Sequence, residues 1–568
     1  MGDVLFLILR RLRAPLLTLI VVYAISVGGL TLMPGVDANG QPARLGFFHA
    51  FYVMSYTATT IGFGEVPHAF SEAQRAWVIL SIYLSVVGWA YAVGSVFALT
   101  NDATFRAAVS RGVFAWRVRG IAEPFFIICG YGQSGSGLAR ALDDMGIGLV
   151  IIETRPERAA KLAIEDYVTS PLVLCADAKL PDVLEVAGIH KPECQGLMAL
   201  AGDDAANQAI AIGARVLNDG LRVVARAKSQ VAQVNLESFG GVTVINPFET
   251  FATNLALDLG SPEVLRLEEW LTSAPGSECP SRINVPRGTW VLVGFGRFGR
   301  AIAEVLDRAG ISWTAIDSDQ ALPEQERLLA GDNTEKVLRD AGIAAADVLV
   351  AGTDVDAVNL GVTTLARRVN ADLFVVIRQN DVNDSILIQA AKADLRFVQA
   401  DLVVHECLQE LKTPMLGRFL LRARSEGGAF AARAIERISD SVGTGSPRAW
   451  TFHCDVMQPG IFGAFFQNPG ESLPLRLLCR DVSAPDHALR VTPLMVERRA
   501  ETLLLPGPEV ELKPGDRVLF VGDDFARRVQ QRYLMEPGAI EWVRSGVEPP
   551  RSWVFRRLMR RRLARTEQ

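Results

Sequence analysis

Two six-residue runs, Gly130-Tyr131-Gly132-Gln133-Ser134-Gly135 and Gly294-Phe295-Gly296-Arg297-Phe298-Gly299, carry glycines at the spacing that lets a backbone turn tightly and approach a pyrophosphate. In each case an acid, Glu153 or Asp317, follows the third glycine by 18 residues. Such a carboxylate could accept hydrogen bonds from ribose hydroxyls and would repel a 2'-phosphate. A third run, Thr59-Thr60-Ile61-Gly62-Phe63-Gly64-Glu65, suits other chemistry. Gly62 and Gly64 can adopt backbone angles closed to other residues, so successive carbonyl oxygens could aim at one axis and replace the water shell of a cation. Thr60 would add a hydroxyl oxygen at the inner end.

The glycine runs sit where a dinucleotide fold needs them. Residues 125–129 are apolar and read as a buried strand, a helical pattern runs on through Met145, and residues 148–152 form a second apolar run ending at Glu153. Residues 290–293, a helix through Arg308 and a strand ending at Asp317 repeat that order. Residues 176–177 match 331–332, 187–189 match 341–343, 201–204 up to Asn207 match 351–354 up to Asn359, and 222–226 match 374–378. An internal repeat is the simplest account. Alternating strands and helices of this kind give a parallel sheet covered on both faces. Each copy either binds NAD or an adenine nucleotide, or keeps the fold as an assembly platform. Arg155, two residues beyond Glu153, and Arg297, inside the second turn, add positive charge near each candidate site.

The first hundred residues are a different material. Residues 14–33 and 76–100 are uncharged runs, each long enough as a helix to cross about 30 Å of hydrocarbon. Arg10, Arg11 and Arg13 precede the first and Arg106, Arg111, Arg117 and Arg119 follow the second, while only Arg44 and Arg75 lie between, so both ends belong in the cytoplasm. Residues 4–9 extend the first helix or lie along the interface. Residues 47–58 are apolar but too short to cross, as a re-entrant helix would be, and the Thr-Ile-Gly-Phe-Gly run follows at once. Gly88 and Gly94 in the second span serve either as hinges or as places of close helix packing. No arginine-rich span of a voltage sensor occurs, so gating is expected from the remainder of the chain.

A chain of 568 residues holds several domains. Hydrophobic residues at 49% and charged residues at 21% exclude a disordered chain, and a formal net charge of -5 argues against a nucleic-acid partner. Seven scattered cysteines without a Cys-x-x-Cys pair argue against a disulfide framework, and His405 with Cys407 and His453 with Cys454 read as ordinary packed or surface residues.

The segment from 14 to 100, with its filter-like run, resembles the pore of two-span prokaryotic potassium channels, and the repeated glycine modules resemble regulator-of-potassium-conductance (RCK) domains, which are TrkA-N-like. The resemblance covers roughly residues 14 to 525 and implies a homotetramer in a lipid bilayer, with eight modules forming a ring that ligands move. It implies K+ held by the carbonyls of Thr60, Ile61, Gly62 and Phe63, with Gly64 completing the filter, and it implies a bacterial inner-membrane location. Phe63 stands where the family mostly has Tyr, and Glu65 where it mostly has Asp. Calcium-gated relatives carry two glutamates where this chain has Arg226 and Lys228, so that Ca2+ site looks absent, although Asp203 and Asp204 offer other oxygens.

The fold class is therefore a membrane α-helical two-span pore followed by α/β modules and a small β-rich subdomain. The domains fall at 1–13, an N-terminal cytoplasmic or interfacial segment; 14–100, the pore, with its filter at 59–65; 101–123, a linker that transmits movement; 124–271, the first RCK domain; 272–288, a Pro/Gly/Ser-rich linker; 289–448, the second RCK domain; 449–525, a TrkA-C-like subdomain; and 526–568, a basic tail. Within these, residues 248–270 read as one helix, and residues 551–565 as a basic amphipathic helix or a solvated tail. The reading is a ligand-gated channel and no enzyme, so no residue is assigned a catalytic role. Two alternatives are a membrane-anchored NAD-dependent oxidoreductase, which lacks a recognisable substrate domain here, and a regulatory subunit of a separate transporter.

Overall fold

The computed structural model describes residues 2–37, 41–64, 66, 68–162, 164–273, 276–279, 284–318, 327–412, 414–461, 473–499, 501–536 and 538–546. Glu65, much of the 272–288 linker and the basic stretch 551–565 lie outside or partly outside these residues. The chain divides into two units, residues 1–127 with 148–195, and residues 128–147 with 196–568.

In the first unit, helix α1 (Gly2–Leu32) runs unbroken from the 4–9 segment into the first apolar run, so that segment extends the helix. Helix α2 (Phe47–Ala58) has the half-span length read from the sequence. Helix α3 (Glu72–Asn101) starts four residues before the second apolar run because Ser71 and Gln74 close a capping box at its N-terminus. The windows of α1 and α3 able to span a membrane are only 22% and 17% buried, unlike the core helices of a soluble domain. Their exposed faces carry Ile20, Ile79, Tyr83 and Val87, each more than half exposed. The two helices are locked where Trp77 lies against Gly29: a Cβ at position 29 would come within 2.0 Å of the indole, and the indole N–H donates to the Ser26 carbonyl at 2.9 Å. Helix α4 (Ala103–Arg119) occupies the connector and is tied down by Arg111 to Asp182 (2.7 Å) and by Lys191 Nζ to the Arg119 and Ile121 carbonyls. Beyond it, strand β1 (Phe125–Cys129) begins, with β2 (Gly148–Glu153) and β3 (Leu172–Cys175) beside it, β2 and β3 pairing in parallel.

In the second unit, β1 continues into the turn before helix α5 (Gln133–Asp143), and is followed across the sheet by β4 (Cys194–Ala199), β5 (Val223–Arg226) and β6 (Val242–Ile245), with β4, β5 and β6 mutually parallel. Two helices, α6 (Pro247–Gly260) and α7 (Pro262–Thr272), follow. They correct the expectation of one helix over 248–270: Pro262 has no N–H to continue the ladder, so the chain breaks at Ser261 and restarts.

The second module lies wholly in this unit. Strands β7 (Trp290–Val293), β8 (Trp313–Asp317), β9 (Leu328–Ala330), β10 (Val348–Ala351), β11 (Phe374–Gln379) and β12 (Leu395–Val398) form a parallel sheet in the order β9-β8-β7-β10-β11-β12. Helix α8 (Arg297–Ala309) follows the second glycine turn and packs on α6. Phe298 and Phe397 stack at 4.6 Å between centroids, with Phe248 and Phe251 against them. Helix α9 (Gln399–Lys412) packs on α5. Two further helices, α10 (Pro414–Glu426) and α11 (Gly428–Val442), lead out of the module.

The C-terminal part is a four-stranded antiparallel sheet of Arg448–His453, Arg517–Gly522, Val491–Arg498 and Glu501–Leu504. Its core does not stop at residue 525. Val529, Tyr533, Ile540 and Val543, on helices Asp524–Met535 and Ala539–Ser545, are buried in the same cluster as Phe452, Leu475 and Phe520. The first part of the presumed tail is thus structural. The Tyr533 hydroxyl and the Trp542 indole both donate to backbone carbonyls, at 2.9 and 2.8 Å.

Candidate functional site

The second glycine turn shows what each glycine is for. Gly294 has φ +94, and a Cβ there would lie 2.9 Å from the Thr353 nitrogen; a Cβ on Gly299 would lie 2.2 Å from the Gly294 carbonyl oxygen. These two are required by the protein's own packing. Gly296 is different. It caps α8 at φ -75, a conformation open to any residue, and nothing stands within 4 Å of where its Cβ would be. The fold does not demand a glycine there, and its absence of side chain leaves the helix N-terminus open to close approach. A phosphate fits such a place.

The first turn repeats the plan. Gly130 has φ +99 with its Cβ position 2.9 Å from Ala201, and a Cβ on Gly135 would lie 2.0 Å from the Gly130 carbonyl oxygen. Gly132 caps α5 without a side-chain hydrogen bond.

The acids differ. Glu153 is buried and accepts from the backbone N–H of Arg155 (2.9 Å) and the hydroxyl of Thr154 (3.2 Å). Asp317 accepts at 2.6 Å from the N–H of Phe295, inside the glycine turn itself. That bond orders the turn, and sequence spacing gave no sign of it. The Phe295 ring stacks on Trp313, at 5.5 Å, and the Arg300 guanidinium lies over the same ring, 6.0 Å from its centroid.

A pair of buried asparagines, noted in the sequence only as a repeat, anchors both modules. Asn207 accepts from the N–H of Ala201 (2.7 Å) and donates to the carbonyls of Ala201 and Arg226. Asn359 does the same with Thr353 and Arg378. Likewise, Asp204 accepts from the N–H groups of Lys228 and Ser229, and Asp356 from those of Asn380 and Asp381. Ala201 therefore corresponds to Thr353 and Asp204 to Asp356. This corrects by two residues the match of 201–204 with 351–354, which followed the Ala-Gly pairs and overlooked the longer loop of the second copy.

The strand ends carry arginines. Arg226 is buried and donates to the Ala201 carbonyl at 2.7 Å; Arg378, its counterpart, reaches the Gly352 carbonyl at 3.3 Å and lies 5.3 Å over the Phe248 ring, shared with Arg297 at 5.6 Å. Burial first, and then Arg226 and Arg297, hold the Lys228 ammonium below its usual range. Asp203 caps a helix through the N–H of Ala206, so it and Asp204 both have structural duties. Among the described residues, no group of three or more His, Cys, Asp or Glu side chains could hold a metal ion.

In the first unit, the run after α2 has a regular backbone. Thr60, Gly62 and Gly64 have φ +61, +64 and +73. Left-handed residues at alternate positions turn successive peptide planes so that their carbonyls can share one direction, and holding a β-branched Thr there costs energy. The N–H groups of Ile61 and Gly62 both donate to the Tyr56 carbonyl, at 3.0 and 3.2 Å, pinning the run to the end of α2, and the Tyr56 ring meets Phe63 edge-on at 6.1 Å. Residues 59–64 are exposed on this chain. A Cβ on Gly88 would touch Val22 at 3.5 Å, whereas Gly94 has open space beside it.

Two apolar helices flanking a half-span helix, followed by tandem Rossmann-type modules and a β-rich C-terminal part, define the fold class of this chain. Residues 126–247 and 290–399 match the TrkA-N domain family, so the chain carries two TrkA-N domains, one in each copy of the repeat. It is homologous to archaeal potassium-channel proteins. It is 28% identical over 222 residues to Potassium channel protein 1 of Methanocaldococcus jannaschii, covering 39% of this chain and 64% of that protein. It is 27% identical over 233 residues to Probable potassium channel protein 2 of the same organism, covering 41% and 63%. The chain thus spans just under two thirds of the length of these curated relatives. The solved structure of the GsuK channel bound to NAD matches 94% of this chain and 99% of its own, at 15% identity and a TM-score of 0.45.

Proposed function

We propose that this chain is one protomer of a potassium-selective channel, in which four copies bring residues 60–64 around a shared axis in a bacterial inner membrane, with both termini in the cytoplasm. K+ is the permeant ion, coordinated by the carbonyls of Thr60, Ile61, Gly62 and Phe63. The observation that carries this reading is the alternation of left-handed backbone at Thr60, Gly62 and Gly64, exposed at the end of a half-span helix between two apolar helices. Homology to proteins named as potassium channels supports it. No step requires bond making, so the chain acts as a conductor and not as an enzyme.

Gating is assigned to NAD or an adenine nucleotide at the glycine turns. The open Cβ position of Gly296 and the uncapped starts of α5 and α8 support a phosphate there, and in the second copy Asp317, at the end of β8, is assigned to the ribose. Pull on α4 would carry the change to α3, with Gly94, which has free space around it, the better hinge candidate of the two glycines.

The test is potassium flux into liposomes holding the purified protein, with NAD, ADP, ATP and calcium added singly, beside Gly62→Asp. Flux that persists in that variant, or equal passage of sodium, overturns the channel reading. Flux indifferent to every nucleotide overturns the gating assignment alone.

A further inference from the structure

One cavity lies wholly in the first unit, between α4 and the outer strand β3. It holds about 560 Å3, a volume that suits a small organic ligand. Helix α4 packs on β3 and lines the cavity with Ser110, Val113, Phe114 and Arg117, which are spaced i, i+3, i+4 and i+7 and so form one face of the helix. Leu162, at the end of the helix Pro156–Leu162, and residues 170–173, which lead into β3, supply the opposite wall.

Much of the lining is apolar. Phe114 and Leu162 are buried, and Val113, Leu172 and Val173 extend the apolar surface. Two ionic groups stand on it, and they differ in what they already hold. Glu165 is engaged: Lys161 Nζ lies 3.7 Å from one carboxylate oxygen, and the Tyr167 hydroxyl donates to the other at 3.4 Å. The Arg117 guanidinium has no ion pair and no hydrogen bond among the described residues, and neither has the hydroxyl of Ser110 or Ser170. These donors therefore share a cavity with an apolar lining and with no acceptor of their own. All three residues are exposed, so the chain folds without a ligand there. The α4 stripe also continues toward the second apolar helix: Arg106, exposed and likewise without a side-chain partner among the described residues, lies one turn before Ser110, and only Asp102 separates α4 from α3.

We infer that this cavity binds an amphiphile carrying one negative charge, its head group on Arg117 and the hydroxyls of Ser110 and Ser170, and its alkyl chain on Val113, Phe114, Leu162 and Leu172. Charge-assisted hydrogen bonds fix the head, and Glu165 repels a second negative charge, which sets this site apart from one for a nucleotide. A free fatty acid and an anionic lipid both offer that chemistry. Because α4 joins α3 to the first module, occupancy clamps the connector onto β3. The inference rests neither on ion conduction nor on the nucleotide assignment.

Calorimetric titration of the full-length protein in phosphatidylcholine nanodiscs with decanoate tests it, with decanol and decylamine as probes of the same tail and empty nanodiscs as the blank for partitioning. Decanoate should bind above the blank. Arg117→Gln should weaken it about tenfold or more, the worth of a hydrogen bond to a charged group, and Val113→Trp, which fills the space without changing charge, should abolish it. Both side chains are exposed, so both variants should keep the wild-type melting transition. Soluble dihexanoyl phosphatidylglycerol separates the two sources: competition with decanoate identifies the lipid as an occupant, and its absence identifies the free acid. The inference is overturned if decanoate binding does not exceed the blank, if it survives Arg117→Gln unchanged, or if decanol or decylamine binds as tightly.

Discussion

The side-chain amide of Gln133, in the first glycine turn, donates to the Asp381 carboxylate at the far end of β11, at 3.0 Å. Its counterpart in the second turn, Arg297, instead lies over Phe248, beside β6 of the first module. Each glycine turn thus reaches the other module, by unlike chemistry. Gln133→Ala should lower the unfolding free energy by only about 0.5–1.5 kcal/mol, the net worth of one hydrogen bond. Chemical denaturation followed by circular dichroism reads this directly, and a loss several times larger would mean that the contact organises the whole pairing.

The glycines of the second turn should separate folding from binding. Gly299→Ala drives a Cβ to 2.2 Å from the Gly294 carbonyl oxygen and should destabilise the module by about 1–3 kcal/mol, as overpacking does. Gly296→Ala meets nothing and should leave the melting temperature unchanged while weakening adenine-nucleotide binding. Calorimetry on both variants checks the pair. Unaltered nucleotide affinity in Gly296→Ala would remove the phosphate from this turn.

At Gly62, with φ +64, an alanine must adopt a left-handed backbone at a cost of roughly 1–2 kcal/mol. Gly62→Ala should stop or sharply reduce potassium flux while the thermal transition of the α/β modules stays where it was. Phe63→Tyr, which restores a hydroxyl to the ring that meets Tyr56, should conduct and should raise the potassium-to-sodium permeability ratio. Reversal potentials in bilayers measure it.

Glu406 on α9 should give the fold a pH dependence. Burial, opposed by Arg424 and reinforced by Glu268 and Glu410, raises its carboxyl to about 7 from 4.5. Folding therefore takes up a proton between those values, so stability falls as pH rises through the window and is lowest above it. Glu406→Gln should flatten that slope and stabilise the protein at about pH 8 by on the order of 2 kcal/mol. Melting temperatures measured across the window decide the matter, and parallel curves for both proteins would rule out this carboxyl as the source. The neighbouring Arg424 and Glu268 are joined by bonds of 2.6 and 2.9 Å.

The linear chain by itself determined the repeat, the strands before each glycine turn, the acid at the end of the next strand and the half-span helix 47–58, because all of these are set by local periodicity and by glycine's freedom at φ above zero. Its errors came where local signals were ambiguous. The stretch 248–270 looked like one helix until Pro262 broke it, and matching Ala-Gly pairs set residues 351–354 two positions off the register held by Asn207 and Asn359, whose bonds to equivalent backbone groups show the true correspondence. Tertiary structure alone decided that Asp317 turns back onto the Phe295 N–H, that Gly296 has space where Gly299 has none, and that α4 and β3 enclose a cavity beside Arg117. Those facts depend on distances between residues far apart in the chain, and no spacing along a sequence encodes a distance across space.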